Sequence, residues 1–298
     1  MVEYLIRLLL GRHKIAVLSR GYKRSTKGFH LAEGEETYRT LGDEPLQYYN
    51  KWKSDLVVSV CEDRVEAIPK ILFERPDTEI VIMDDGYQHR AISPDLKILL
   101  TDYTKPFFSD YLLPSGRLRE PRKEARRADI VIVTKCPEDL TKEDVESFNI
   151  KIRKYTRMDI PIYFSTMKYL EPKPLFDWVP KHFSSRNVLA ISGIANPIHF
   201  EKYIASNWKI LNAWHYSDHY IYKPSDIKSL KEIWQGYTRE SPVIVTTEKD
   251  ATKFTHPDII PHMEGLPVYV IGIEMEILED GKEFDAGIID AIRAKTGI

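Results

Sequence analysis

Residues 79–90 read EIVIMDDGYQHR, and this stretch decides the fold class. Ile80 to Met83 form a short, continuous apolar run, which is typical of a strand buried on both faces of a parallel sheet. Asp84 and Asp85 follow directly, and Gly86 favours a turn after them. Carboxylates at the C-terminal end of such a strand lie where open α/β sheets bind their ligands. The stretch therefore predicts an α/β sheet with a polar site at its edge.

The strand followed by two aspartates has three interpretations. It resembles the Walker B element that helps hold Mg²⁺ in P-loop phosphotransferases. Asp-Gly is also a common turn dipeptide, so the aspartates alone fit a simple turn. A weaker interpretation is the metal motif of a glycosyltransferase. The polar run through Gln88, His89 and Arg90 favours a functional site over the simple turn.

Strand-like and helix-like segments alternate on both sides of this stretch, which predicts an α/β fold with crossover connections. A Pro- and aromatic-containing segment, YLEPKPLFDWVPKHF at 169–183, is predicted to connect two domains, 1–168 and 169–298. The predicted strands are 14–19, 56–60, 80–83, 96–101, 130–134, 188–191, 209–213, 243–246 and 268–271. The predicted helices are 2–10, 44–53, 64–74, 142–155, 198–206, 225–234 and 285–295.

Composition narrows the class of protein. The 298 residues are 43% hydrophobic and 30% charged, as in globular proteins. A net charge of -2 argues against a strongly electrostatic nucleic-acid binder, so we expect no nucleic-acid partner. Two cysteines build neither a disulfide framework nor a four-cysteine zinc site. With neither an apolar run of membrane-spanning length nor a signal-peptide pattern, the prediction is a cytoplasmic protein with peripheral membrane contact left open.

Three further clusters have both a structural and a functional interpretation. Asp43 and Glu44 stand at a predicted helix start, where helix capping is the ordinary role. His215 and His219 are spaced to share one helix face and ligate a metal, but their neighbours favour a loop in which His219 assists a carboxylate. In TTEKDATKF at 246–254, Thr247 is predicted to cap a helix with Asp250 at capping-box spacing.

A basic run, GRLREPRKEARRADIVIVTK at 116–135, fits two roles equally. A solvated helix face is the usual role of a charge run. Beside a phosphate-handling sheet edge, it would instead bind an anionic substrate or a lipid head group.

The partner of a Walker B element, G-x-x-x-x-G-K-[ST], does not occur in the 298 residues. In a P-loop fold this loop lies immediately before the first helix. The sequence starts at that position, with the apolar helix predicted over 2–10.

Taken together, several motifs resemble one family, the tetraacyldisaccharide 4'-kinases that act on lipid A precursors. They occur in the family's order across nearly the whole chain, and the series SRGY, GDEP and DDGYQH is specific. The matching stretches are VLSRGYKR (17–24), LGDEPLQ (41–47), MDDGYQHR (83–90), LLPSGRLREP (112–121), RADIVIVTK (127–135), SGIANPIHF (192–200), SDHY (217–220) and TTEKDATKF (246–254).

The resemblance implies a fold and an activity. The fold is α/β, a P-loop NTPase-like, doubly wound, mostly parallel sheet with a second, smaller α/β domain closing a cleft. The activity is transfer of the ATP γ-phosphate to the 4'-hydroxyl of a lipid A disaccharide 1-phosphate. ATP and Mg²⁺ are the implied cofactors, and the implied location is the cytoplasmic face of the inner membrane, as a peripheral protein.

The resemblance also implies roles for individual residues. Asp84 and Asp85 resemble the carboxylates near Mg²⁺. Asp43 resembles the residue that deprotonates the sugar hydroxyl, and His219 resembles the histidine paired with it. The implied nucleotide and metal surroundings comprise Gln88, Arg119 and Glu120.

The family's phosphate-binding loop and a membrane-associating segment are expected before Val2, outside this sequence. Losing that loop removes charge stabilisation and positioning from the phosphates, so the sequence predicts an inactive or nearly inactive chain. The alternative function is a catalytically inactive, pseudokinase-like protein that still binds the lipid.

Overall fold

The fold is an assembly of ten α-helices and thirteen strands over the residues that the computed structural model describes, 1–296. The helices are α1 (Val2–Leu9), α2 (Tyr38–Leu41), α3 (Asp43–Trp52), α4 (Arg64–Glu74), α5 (Lys142–Arg153), α6 (Ile198–Asn207), α7 (Pro224–Gly236), α8 (Glu248–Phe254), α9 (Ile260–Met263) and α10 (Gly281–Thr296). The strands are β1 (Ile15–Ser19), β2 (His30–Leu31), β3 (Val57–Val60), β4 (Ile80–Met83), β5 (Ile98–Asp102), β6 (Ile130–Thr134), β7 (Ile162–Tyr169), β8 (Lys173–Pro174), β9 (Asn187–Ser192), β10 (Lys209–His215), β11 (Val243–Thr247), β12 (Val268–Ile271) and β13 (Ile273–Ile277).

The predicted α/β class is confirmed, and every predicted strand and helix is present, some with the predicted ends and the others with shifted ends. The strands that the sequence analysis missed include β7 and β13, in which polar residues interrupt the apolar runs. The segment predicted as a connector is partly structural: β8 lies within it and pairs antiparallel with β12. The Tyr269 hydroxyl also donates to the Pro180 carbonyl at 2.6 Å, which ties the segment to the sheet.

Contacts group the chain into two compact units, each made of separate segments. The first unit comprises Met1–Leu9, Asp85–Lys168 and the residues from Glu274 onward, and the second unit comprises Leu10–Asp84 and Tyr169–Ile273. The division into domains 1–168 and 169–298 stays a prediction.

The second unit contains two sheets. In one, of order β2-β3-β1-β4, β1 is central and pairs in parallel with β3 and β4. All five residues of β1 are buried, which explains its continuous apolar run. The other sheet has the order β10-β9-β11-β12-β8, and its first four strands are parallel. Parallel strands joined by helices place their C-terminal ends, and the loops that follow, on one edge.

The first unit contains the sheet β13-β7-β6-β5, in which β5, β6 and β7 run parallel. Its core packs Val131, Val133 and Phe164 against α5 residues such as Ile152. Helix α1 packs through Tyr4 onto α10, where the Tyr4 hydroxyl donates to Asp285 at 2.7 Å.

Both cysteines, Cys61 and Cys136, are buried free thiols. Burial raises the pKa of the Cys136 thiol to about 11, which keeps it protonated and unreactive. Over residues 1–296, none of the helices combines the length and the apolar character needed to cross a bilayer.

Candidate functional site

Asp43 is the first residue of α3 and is only 7% exposed. The turn before it requires Gly42, because its φ of 91° favours glycine and a Cβ added there would lie 3.0 Å from the Tyr22 carbonyl oxygen. The N-cap position is Gly42, which has no side chain, and Asp43 lies in the first turn of the helix, where a carboxylate is favoured by the helix dipole. The Asp43 Oδ2 atom faces a histidine and a lysine from other elements.

His219 lies in the loop after β10, with a φ of 60°. Its Nδ1 atom lies 3.0 Å from Asp43 Oδ2, so the structure brings together the two residues predicted to act as a pair. Its Nε2 atom lies 3.2 Å from the Lys249 Nζ atom. Because an ammonium only donates, Nε2 accepts from it and the neutral ring carries its proton on Nδ1, which donates to Asp43.

Helix α8 supplies two cations to the site. Lys249 contacts His219 and also donates to Asp218 Oδ1 at 2.7 Å. Burial acts to raise the pKa of the Asp218 carboxyl, but the hydrogen bond and charge of Lys249 outweigh it and lower the pKa. Lys253, one turn later, is 1% exposed and places its Nζ atom 3.1 Å from Asp43 Oδ2.

Asp250, between the two lysines, is fully buried and structural. It accepts hydrogen bonds from the Gly193 backbone N–H at 2.9 Å, the Tyr222 hydroxyl at 3.0 Å and the Thr247 hydroxyl at 2.7 Å. Burial and the Asp250 charge raise the pKa of Tyr222, so this phenol stays a donor. Thr247 also caps α8, as predicted. These bonds fix α8 against the loops after β9 and β10.

Asp84 follows β4, as predicted, and its backbone N–H donates to the Leu18 carbonyl of β1 at 3.0 Å. The Tyr48 hydroxyl donates to Asp84 Oδ2 at 3.3 Å. Glu44 is next to Asp43 in the sequence, and its pKa is raised by desolvation and by the charge of the Asp84 carboxylate. A carboxyl whose pKa is raised by burial and by neighbouring carboxylates marks a site where a cation would be stabilised.

The first unit holds a separate polar cluster. Arg119 Nη1 lies 2.9 Å from Asp85 Oδ2 and 3.5 Å from Gln88 Oε1, so three of the predicted site residues meet. Glu120 does not join them, because it is paired with Arg90 at 3.0 Å and with Arg127. The Asp85 side chain is open to solvent, and the residue has a φ of 47°.

The basic run 116–135 is not one solvated helix face. Only Arg122–Arg127 is helical, as a 3-10 helix, and several arginines of the run are engaged in ion pairs. Arg117 pairs with Asp110 at 2.8 Å, and Arg127 stacks over the Tyr87 ring at 4.5 Å.

The helical metal-site interpretation of His215 and His219 is wrong. His215 is the last residue of β10 and pairs with Glu201 at 2.7 Å, whereas His219 lies in the following loop. Within residues 1–296, no group of three or more His, Cys, Asp or Glu residues is placed to hold a metal ion.

Sequence reasoning missed the lysines of α8. TTEKDATKF predicts a capped helix after a strand, and Lys249 and Lys253 stand four residues apart, so they share one face of that helix. The spacing places both lysines on one face of the helix, but only the structure shows that this face packs against the site.

Comparisons with known proteins agree on one family. A family model described as "Tetraacyldisaccharide-1-P 4'-kinase" matches residues 1–293. Similar relatives include the tetraacyldisaccharide 4'-kinases of Bacteroides thetaiotaomicron, 36% identical over 99% of this chain and 80% of the relative, and of Bacteroides fragilis, 38% identical over the same shares.

Among solved structures, the chain is similar to the "apo" form of LpxK from Aquifex aeolicus in complex with ATP. The TM-score is 0.70 and the identity 27%, over 98% of this chain and 82% of the other. The predicted P-loop kinase-like fold class is confirmed by this match. The chain belongs to the tetraacyldisaccharide-1-P 4'-kinase family.

Proposed function

We propose that the protein is an ATP-dependent kinase that phosphorylates the 4'-hydroxyl of tetraacyldisaccharide 1-phosphate and yields lipid IVA. The observation that carries the proposal is the 3.0 Å contact between His219 Nδ1 and Asp43 Oδ2, formed by residues 176 positions apart in the chain. Family membership supplies the reaction, and the contact supplies a base of the right kind for it.

Asp43 acts as the general base that removes the proton of the sugar hydroxyl. Phosphoryl transfer needs an oriented nucleophile and charge neutralisation more than covalent catalysis. The imidazole of His219 donates to one carboxylate oxygen, which orients the other oxygen toward the acceptor. Lys249 holds His219 in the tautomer that this requires.

ATP and Mg²⁺ fit the remaining acidic and basic residues. Mg²⁺ is usually bound through one or two carboxylates together with substrate phosphates and waters, so Asp84 and Asp85 are a sufficient donor set. The pKa of Glu44 is raised first by its burial and second by the Asp84 carboxylate, a negative charge that a cation would relieve. When bound, Mg²⁺ neutralises charge that develops on the transferred phosphoryl group. Gln88, Arg119 and Glu120 are proposed to contact the nucleotide or its metal.

The acceptor implies a location. A tetraacylated disaccharide resides in a membrane, so we propose that the protein works as a peripheral protein at the cytoplasmic face of the inner membrane. The division into a nucleotide-binding domain at 1–168 and a smaller cleft-closing domain at 169–298 belongs to the same proposal.

One finer prediction accompanies the activity: a reduced rate, because the G-x-x-x-x-G-K-[ST] motif does not occur in the 298 residues. The alternative function is a catalytically inactive protein that binds the lipid, and an assay of phosphate transfer distinguishes the two.

The test is phosphate transfer from γ-labelled ATP to tetraacyldisaccharide 1-phosphate in mixed micelles. We expect Mg²⁺-dependent labelling of the lipid, and a loss of about 10²- to 10⁴-fold in kcat for Asp43→Asn, the range that general-base catalysis contributes. Lipid binding without labelling would support the inactive alternative. Undiminished turnover by Asp43→Asn would remove the base assignment.

A further inference from the structure

Lys253 is an unusual lysine, because its whole side chain is buried. It is 1% exposed, and a buried ammonium is unfavourable unless it is paired and hydrogen-bonded. Over residues 1–296, no well-directed hydrogen bond reaches its Nζ atom. The position therefore carries an energetic cost, and such costs concentrate at functional sites.

Its nearest carboxylate is that of Asp43. Nζ lies 3.1 Å from Asp43 Oδ2 and 3.9 Å from Asp250 Oδ1. Asp250 already accepts three hydrogen bonds, so its charge is largely satisfied without the lysine. Asp43 is thus the group on which the Lys253 charge acts most strongly.

Lys253 and His219 both act on the same oxygen of Asp43. The two contacts, at 3.1 Å and 3.0 Å, fall on Oδ2. In the described part of the chain no side chain hydrogen-bonds or ion-pairs with Oδ1. One oxygen is anchored from two sides, and the other is left to accept a proton.

We propose that Lys253 is a positioning residue for the general base: its buried ammonium, together with His219, anchors Oδ2 of Asp43 and so directs Oδ1 to the acceptor hydroxyl. This inference rests on the proposed kinase function. Lys253 does not touch the reacting atoms, because it acts through Asp43.

Several charged groups besides Lys253 lie around Asp43 and His219, and a test must separate the effect of Lys253 from theirs. Asp43 on α3 is faced by His219 from the loop after β10, by Lys253 from α8, and by Glu44 from its own helix. His219 is faced in addition by Lys249 at 3.2 Å and by Asp218 at 3.6 Å.

The Tyr22 ring packs against the His219 ring, with 5.3 Å between their centroids.

The chain also offers a matched control. Lys51 of α3 pairs with Glu248 of α8 at 2.8 Å, so it joins the same two helices without touching Asp43.

The kinetic experiment is a double-mutant cycle of Lys253→Met and Asp43→Asn. We expect Lys253→Met to lower kcat about 10-fold or more with the KM for ATP unchanged. In the Asp43→Asn background the same substitution should lower kcat less than about 3-fold, because the effects of groups that act as a unit are not additive. Lys253→Arg, which keeps the charge, should retain more activity than Lys253→Met, and Lys51→Met should stay near wild type. Equal losses in both backgrounds, or Met surpassing Arg, would overturn the proposal.

A second measurement needs no turnover. In ¹⁵N-histidine NMR, removing the ammonium beside Asp43 should let His219 take up its second proton at higher pH in Lys253→Met than in wild type, and Lys51→Met should not change this. An unchanged His219 titration would overturn the proposal. Lys253→Gln replaces the methionine variant if that variant fails to fold. A wild-type chain without transfer refutes the kinase function, and the NMR result then decides the role of Lys253 separately.

Discussion

Asp43→Asn is predicted to destabilise the protein as well as to inactivate it. The substitution keeps the shape of the side chain and an oxygen that accepts from His219, but it removes the charge that faces Lys253 at 3.1 Å. The ammonium of Lys253 then remains buried, with its next carboxylate 3.9 Å away and already hydrogen-bonded by three donors.

Removing one partner of a buried ion pair costs about 3–5 kcal/mol. At roughly 2–4 °C per kcal/mol for a unit of this size, the melting temperature should fall by roughly 6–20 °C. The assay is thermal unfolding followed by circular dichroism at neutral pH.

The double variant Asp43→Asn/Lys253→Met provides the control. Replacing both members of a buried pair is often nearly neutral, so most of the lost stability should return while activity does not. A single variant that melts within about 2 °C of wild type, a shift worth less than about 1 kcal/mol, would refute the reasoning. So would a double variant less stable than both single variants.

Four further predictions follow from the site and its supports. His219→Ala should lower kcat by about 10²-fold with little change in the KM for ATP, as steady-state kinetics would show, because the base loses its orienting donor. Asp84→Asn should raise the Mg²⁺ concentration needed for half-maximal transfer, and an unchanged Mg²⁺ titration would remove this residue from the metal site. Tyr222→Phe should cost about 1–3 kcal/mol in urea unfolding, because it removes a donor from the buried Asp250. Burial acts to raise the pKa of Asp102, but hydrogen bonds from Thr104 and Lys135 outweigh it and lower the pKa to about 2. The ionised carboxylate therefore stabilises the protein fully above about pH 4, and this stabilisation is lost as the pH falls toward 2. Asp102→Asn should accordingly reduce the loss of stability with falling pH in this range.

Much of the fold was predictable from local patterns. The continuous apolar runs of β1, β4 and β6 are those of strands buried in parallel sheets, and all three are present. Strands β7 and β13 were not predicted because polar residues such as Ser165 and Glu276 leave them without a long apolar run. Their pairing depends on tertiary contacts that no local pattern encodes.

The candidate site was predictable only in part. The series of motifs identified Asp43 and His219, and the structure places them in contact. The contribution of Lys253 was hidden, because a lysine in a capped helix normally faces solvent. Its burial results from the packing of α8 on α3, which sequence spacing alone does not reveal.

Glu120 illustrates a feature that the sequence did not predict. The resemblance implies a role near the nucleotide, which stays a prediction, and the structure adds ion pairs with Arg90 and Arg127. An ion-pair network of this kind is visible only in three dimensions, because its members are 30 and 7 residues apart in sequence.

The deciding measurement is the labelling of tetraacyldisaccharide 1-phosphate from γ-labelled ATP by the purified chain, beside Asp43→Asn at equal folded concentration. We predict Mg²⁺-dependent labelling above the protein-free background, at the 4' position, that falls about 10²-fold or more in the variant. Absence of labelling by folded wild-type protein, or equal labelling by the two proteins, would contradict a kinase in which Asp43 is the base.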